Sequence, residues 1–184
     1  MKRIETALPG VFLIEPRVFS DERGFFFESY QKEKYLSLGI ADEFVQDNQV
    51  RSIKGVIRGL HYQHPRPQAK LCRVAEGEVL DVVVDIRAGS PHFGKHVSAI
   101  LSAENKLQIY VPAGFAHGYS VLSERAEFLY KCSDYYHPQF ERGVAWDDAD
   151  LGIDWLVSSP LLSERDLRNP QLSKIPTDEL PPYR

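Results

Sequence analysis

Hydrophobic positions along the chain fall in short runs that alternate with polar ones at a period of two rather than the 3.6 of a helix. The runs VFLIEPRVF, FFFESY, VIRGLHYQ, KLCRV, EVLDVVVDI, KHVSAILS, KLQIYVP, GYSVLS and AEFLYKCSDYY are rich in β-branched and aromatic residues and stop at Gly, Pro, Asn, Asp or Ser. That is the composition and punctuation of strands. In VLDVVVDI the alternation puts Leu80, Val82, Val84 and Ile86 on one face and Asp81, Val83 and Asp85 on the other. Helical signals are scarce. KEKYLSLG, from Lys32 to Gly39, ends on a glycine suited to a C-cap. SSPLLSERDL sets Ser159 before Pro160, the pattern of a helix start. Many closely spaced strands with little helix predict an all-β sandwich or jelly-roll barrel, and no helices alternate with the strands as an α/β fold requires.

Composition narrows the picture. The 184 residues, 43% hydrophobic and 11% aromatic, suffice for a compact core. With no repeat, low-complexity tract or linker, one domain over 1–184 is expected. No apolar run is long enough to span a bilayer, and MKRIETALPG lacks the apolar segment of a secretion signal, so no membrane association and a cytoplasmic location are expected. A formal net charge of -4 gives no general attraction to nucleic acid, so any anion must be held by a local cluster. Cys72 and Cys132 lack metal or redox spacing and read as buried thiols in a reducing compartment.

The stretch VIRGLHYQHPRPQAKLCRV, from Val56 to Val74, supplies that cluster. It sets Arg58, His61, His64, Arg66, Lys70 and Arg73 among apolar, strand-like neighbours. Unpaired burial of such groups costs several kcal/mol in rough terms, so they are exposed or they face an anion or a proton transfer. Strict alternation puts Arg58 and His61 on opposite faces; a bulge at Gly59 brings them together. Farther on, PAGFAHG carries a PxGxxH spacing that resembles the second half of the cupin metal signature. The first half here is His61 and His64, an HxxH across Pro65 in place of HxH, with Lys70 nearby. Those imidazoles do not converge as a two-residue step would allow, so a cupin-like fold without metal is expected.

Three further stretches carry candidate chemistry. In FLYKCSDYY, Tyr130 shares a face with Phe128 and Cys132, a core pattern in which a phenol needs a partner or serves as an acid. In SDERGFFFES a turn precedes three consecutive Phe, which cannot all face one core; one side meets a second subunit or a flat ligand. SERDLRNP places Asp166 among Glu164, Arg165 and Arg168, by pattern a solvated charged helix. No nucleophile elbow, phosphate-binding glycine loop or dinucleotide fingerprint occurs.

Together DERGFFFE, FVQDN, GVIRGLHYQ, PQAKLCRVAEGEVLDVVVDIRAGSPHFGK, VPAGFAHGY, YKCSDYYHP and SERD follow one another in the order found in dTDP-4-dehydrorhamnose 3,5-epimerases. The chain resembles that family from about Ile4 to Pro170. The resemblance implies a cupin-like jelly roll with a few short peripheral helices, a homodimer, and a dTDP-4-keto-6-deoxysugar substrate inverted at carbons 3 and 5 without metal or other cofactor. By position in the motifs, His61 matches the base, Asp166 the carboxylate that orients it, Lys70 the cation beside the enolate oxygen and Tyr130 the proton donor. Arg58 and Arg23 match pyrophosphate contacts, and His117 a polar contact near the diphosphate. Phe19, Phe26, Glu28, Gln46, Asn48 and Tyr136 match the nucleotide-binding set, part of it reaching in from the second subunit. The chain differs in having Tyr119 where Phe is commoner and Arg165 where Lys is usual. Three other readings stay open at this level: a single-carbon epimerase of the same class, a metal-dependent cupin enzyme, and a catalytically silent sugar-nucleotide binding module.

Overall fold

The computed structural model describes residues 1–183. Its strands are β1 (Lys2–Glu5), β2 (Phe12–Glu15), β3 (Phe19–Asp21), β4 (Gly24–Phe26), β5 (Gln46–Ile53), β6 (Ile57–Gln63), β7 (Lys70–Glu76), β8 (Glu78–Asp85), β9 (His96–Ser102), β10 (Gln108–Val111), β11 (Phe115–Val121), β12 (Arg125–Cys132) and β13 (Glu141–Gly143). One sheet runs β1-β2-β10-β7-β12-β5 and the other β13-β6-β11-β8-β9, while β3 and β4 form a separate hairpin. From β5 onward the chain passes repeatedly between the two main sheets, and every strand pair is antiparallel. This is the all-β, cupin-like jelly roll that the alternation and the resemblance implied.

Three apolar clusters follow from the alternation. Between the sheets lie Val79 and Val83 of β8 with Cys72, Val74, Ile109, Tyr119 and Phe128. The opposite face of β8 presents Leu80, Val82 and Val84 to a second cluster, closed by Val144, Leu151, Trp155, Leu172 and Leu180 of the C-terminal segment. Both faces of β8 are thus covered, which explains its nearly unbroken apolar run. The third cluster seats Tyr35 of the helix α1 (Lys32–Ser37) on Phe12, Ile14, Leu71 and Tyr110, outside the six-stranded sheet. As expected, α1 stops at Gly39, whose φ of +97° suits a residue without a Cβ.

Sequence and structure part in two places. No helix begins at Ser159. Leu161 instead bridges Val56, with Ile57 N–H donating to Leu161 C=O and Leu161 N–H to Gly55 C=O, both at 2.9 Å. Backbone pairing with the sheet outweighs a weak local propensity, and the segment makes only a 3-10 turn at Asp166–Arg168. Conversely, β5 lacks an apolar signature because it is an edge strand, with Ser52 its one buried residue. Among the described residues no helix is long and apolar enough to cross a membrane.

Gly59 and Gly118 stand where β6 and β11 leave no room for a side chain between them. A Cβ on Gly59 would lie 2.7 Å from both Gly118 Cα and the His117 carbonyl oxygen, and its φ is +114°. Gly59→Ala should therefore destabilise the fold by roughly 2–4 kcal/mol, measurable as a lowered midpoint of chemical unfolding.

Candidate active site

A cleft of about 360 Å³ opens between the two sheets. Arg58 and His61 of β6, with His117 and Tyr119 of β11, form one wall; Lys70 of β7 and Phe128, Tyr130 and Cys132 of β12 form the other. Gln46 and Asn48 of β5 continue the second wall, and Tyr136 and Glu141 stand at its margin.

The bulge expected at Gly59 is what puts Arg58 and His61 on one wall. On β11, His117 pairs with His61 and Tyr119 with Arg58, so two steps on β11 match three on β6. The extra residue flips the register, and Arg58 joins His61 on the inner face. Leu60 and Tyr62 turn outward into the cluster under the C-terminal segment.

Each imidazole in the cleft is held by a carboxylate. His61 Nε2 donates to Asp166 Oδ1 at 2.6 Å. Asp166 is 4% exposed, alone among the charged residues of SERDLR in being buried. Burial opposes its ionisation, but hydrogen bonds from His61, Ser163 and the Gly59 backbone outweigh that and hold its carboxyl below the usual 3.8. The charged-helix pattern thus hid a buried anion, placed by the backbone bridge at Leu161. His117 Nε2 lies 2.9 Å from each oxygen of Asp81, and both residues are buried. In the sequence Asp81 stands out as a charge inside an apolar strand, but no local spacing marks it as the partner of a histidine 36 residues away.

The unpaired cations are divided between the two walls, Arg58 beside the imidazoles and Lys70 opposite. Among the described residues Lys70 makes no ion pair, and Arg58 has one side-chain partner, Ser52 Oγ at 3.1 Å. Two cations without carboxylates face one cleft, the arrangement an anionic ligand satisfies. Burial pushes the Tyr130 phenol well up, with neighbouring Cys132, Cys72, Tyr119 and Glu141 adding to the shift, so it carries its proton at neutral pH.

Gln46, Asn48 and Tyr136 do meet here: Tyr136 N–H donates to Gln46 Oε1 at 2.9 Å, and Gln46 Nε2 to Asn48 Oδ1 at 3.1 Å. Glu141 accepts from the Tyr136 hydroxyl at 2.6 Å and pairs with Arg165. Glu141 and Gln68 also line the cleft, and their short polar segments carry no periodic signal that would point to it from sequence. Arg23, Phe19 and Phe26 are not brought to this cleft. They lie on the β3–β4 hairpin, where Phe19 is 51% and Phe26 65% exposed. Glu28 stands apart as well, paired with Lys34. His64 is not among the lining residues, so no HxH pair forms.

Cys72, Asp81 and His117 gather their donor atoms within 4.8 Å of one another. Burial drives the Cys72 thiol strongly up, keeping it protonated, and His117 Nε2 is engaged with Asp81. With Lys70 close by, the set suits a hydrogen-bonded pair beside a neutral thiol better than a cation.

The family model described as dTDP-4-dehydrorhamnose 3,5-epimerase matches residues 5–174. The chain belongs to the dTDP-4-dehydrorhamnose 3,5-epimerase family. It is 56% identical to the dTDP-4-dehydrorhamnose 3,5-epimerase of Pseudomonas aeruginosa, over 90% of this chain and 93% of that one. A dTDP-6-deoxy-D-glucose-3,5-epimerase from Legionella pneumophila, solved with dTDP-4-keto-L-rhamnose, is 51% identical and superposes with a TM-score of 0.97 over 100% of this chain and 98% of the other. ChmJ, a 3'-monoepimerase from Streptomyces bikiniensis solved with dTDP-quinovose, is 36% identical, with a TM-score of 0.89 over 98% and 93%.

Because Asp166 titrates below its unfolded value, its ionisation stabilises the fold above pH 3.8, and that contribution is lost as pH falls through the lowered value. Asp166→Asn should cost about 1–3 kcal/mol near pH 6. In pH-resolved unfolding, the gap to the unsubstituted chain should narrow only below pH 3.8.

Proposed function

We propose that this protein inverts carbons 3 and 5 of dTDP-4-dehydro-6-deoxyglucose, giving dTDP-4-dehydro-L-rhamnose. One observation carries the reading: an imidazole backed by a buried carboxylate stands on one sheet, and a protonated phenol with an unpaired ammonium stands on the facing sheet of the same cleft. A proton next to the carbon-4 ketone is acidic enough for a positioned base to remove. His61 takes it, and the electron pair moves onto the ketone oxygen as an enolate beside the Lys70 ammonium. Tyr130 then donates its proton to the same carbon from the other side of the ring, which inverts the centre. His61 is left protonated and Tyr130 as phenolate. Proton exchange with solvent restores both before the second inversion. Arg58 binds the pyrophosphate as a guanidinium fork, His117 adds a polar contact beside it, and Gln46, Asn48 and Tyr136 hold the nucleotide end.

The same proposal requires a homodimer. The hairpin β3–β4 exposes Phe19, Phe25 and Phe26 together with Arg23, and the cleft lacks these groups within one chain. Reaching into the cleft of a second copy would bury the aromatic rings and supply Arg23 and Glu28 to the nucleotide. The setting is the cytoplasm, where two buried free thiols stay reduced.

A single-carbon inversion is the second reading, favoured by the likeness to ChmJ. Turnover in deuterated water separates the two: label should appear at both carbons, whereas label at carbon 3 alone selects the second reading and none refutes both. His61→Ala and Tyr130→Phe should each lower kcat roughly 10²–10⁴-fold with a small effect on dTDP affinity. For the dimer, mixing an inactive Arg23→Ala variant with an inactive His61→Ala variant should restore activity, since a hybrid contains one complete cleft. Mixtures as inactive as their components would refute the contribution of Arg23 from the partner subunit.

A further inference from the structure

Tyr119 carries a hydroxyl that the fold does not use. Its ring is 5% exposed and stacks on Phe128 with centroids 4.2 Å apart and planes 17° from parallel. That contact fixes the ring in the cleft wall. The hydroxyl oxygen is buried and has no hydrogen-bond partner. Its polar neighbours are the Arg58 guanidinium, Asp81, Cys72 and Ser52, the last near enough for a weak hydrogen-bonding contact. Ser52 Oγ already accepts from Arg58 Nε at 3.1 Å, and its contact with the phenol falls short of a full hydrogen bond. A phenylalanine would fill the same space against Phe128 without stranding a polar group. Among the described residues of one chain the hydroxyl therefore has no strong acceptor, and a ligand entering the cleft can supply one.

We propose that Tyr119 is a ligand-binding residue whose hydroxyl donates to a phosphoryl oxygen of the nucleotide diphosphate gripped by Arg58. The inference deepens the proposed function and rests on its assignment of Arg58 to the pyrophosphate. An acceptor bound to the guanidinium lies beside the phenol, since the two side chains are neighbours on one wall and Arg58 pairs with Tyr119 across β6 and β11. A phosphoryl oxygen is an anionic acceptor, so the bond is of the stronger, charge-assisted kind. Stacking on Phe128 means that the phenol loses little rotamer freedom on binding. The hydroxyl thus reads the diphosphate, while His61 on the same wall and Tyr130 on the facing wall act on the sugar.

The test compares Tyr119→Phe, Arg58→Ala and the double variant by calorimetric titration with dTDP, by the melting temperature of the free protein, and by steady-state kinetics with the 4-keto sugar. Tyr119→Phe is expected to weaken dTDP about tenfold, to raise KM more than it lowers kcat, and to raise the melting temperature of the free protein. In the Arg58→Ala background the same substitution should cost much less, because the two side chains share one phosphoryl group. Unchanged dTDP affinity in Tyr119→Phe overturns the inference, even if KM rises, since the hydroxyl would then serve the sugar. A lowered melting temperature overturns it as well, for the hydroxyl would have a partner within the fold. If Arg58→Ala itself leaves dTDP affinity intact, the assignment of Arg58 fails, and that failure is read separately.

Discussion

The 2.6 Å hydrogen bond between His61 Nε2 and Asp166 Oδ1 joins the two halves of this molecule's logic. One partner stands on a strand of the jelly roll; the other arrives 105 residues later in a tail that crosses outside the same sheet. The pair persists because the carboxylate is buried yet fully satisfied, by the imidazole, Ser163 and the Gly59 backbone. A buried carboxylate without those partners would take up a proton, and the imidazole would lose the group that fixes its orientation. Gly59 serves both ends of this arrangement. It is the extra residue that turns Arg58 inward beside His61, and its N–H also faces Asp166.

The second constraint is the separation of tasks between facing sheets. The five-stranded sheet contributes two carboxylate-backed imidazoles and Arg58, and the six-stranded sheet contributes Lys70 and Tyr130. Inversion at a carbon needs a proton taken from one side of a ring and delivered to the other. Two facing walls of one sandwich are the arrangement the proposed inversion calls for. Under the proposed function the same division accounts for positive charge in apolar strand sequence: Arg58 and Lys70, without carboxylate partners among the described residues, would meet the anion of the ligand.

Much of this was legible from residue order. Period-two alternation gave the fold class and, in VLDVVVDI, the faces of β8 almost residue by residue. RGLHYQ gave the bulge, because a glycine between two inward polar groups is the least costly way to break alternation. Asp166 was legible only through family resemblance. Its local sequence is that of a solvated charged segment, and its burial is decided by a long-range backbone bridge that no local pattern encodes. β5 escaped notice for a related reason, since an edge strand facing a polar cleft has no apolar stripe to display. Phe19 and Phe26 leave aromatic surface exposed on the β3–β4 hairpin, and the proposed second subunit that would cover it lies beyond the reach of periodicity within one chain.

The claim that His61 and Tyr130 act from opposite sides of the ring is tested most directly by stereochemical analysis of Tyr130→Phe in deuterated water. With the phenol gone, His61 can still remove a proton, exchange it with solvent and return deuterium to the face it came from. The account predicts label at the carbons next to the ketone in recovered substrate, with configuration retained. Inverted product formed at an undiminished rate, or complete loss of exchange along with inversion, would contradict it.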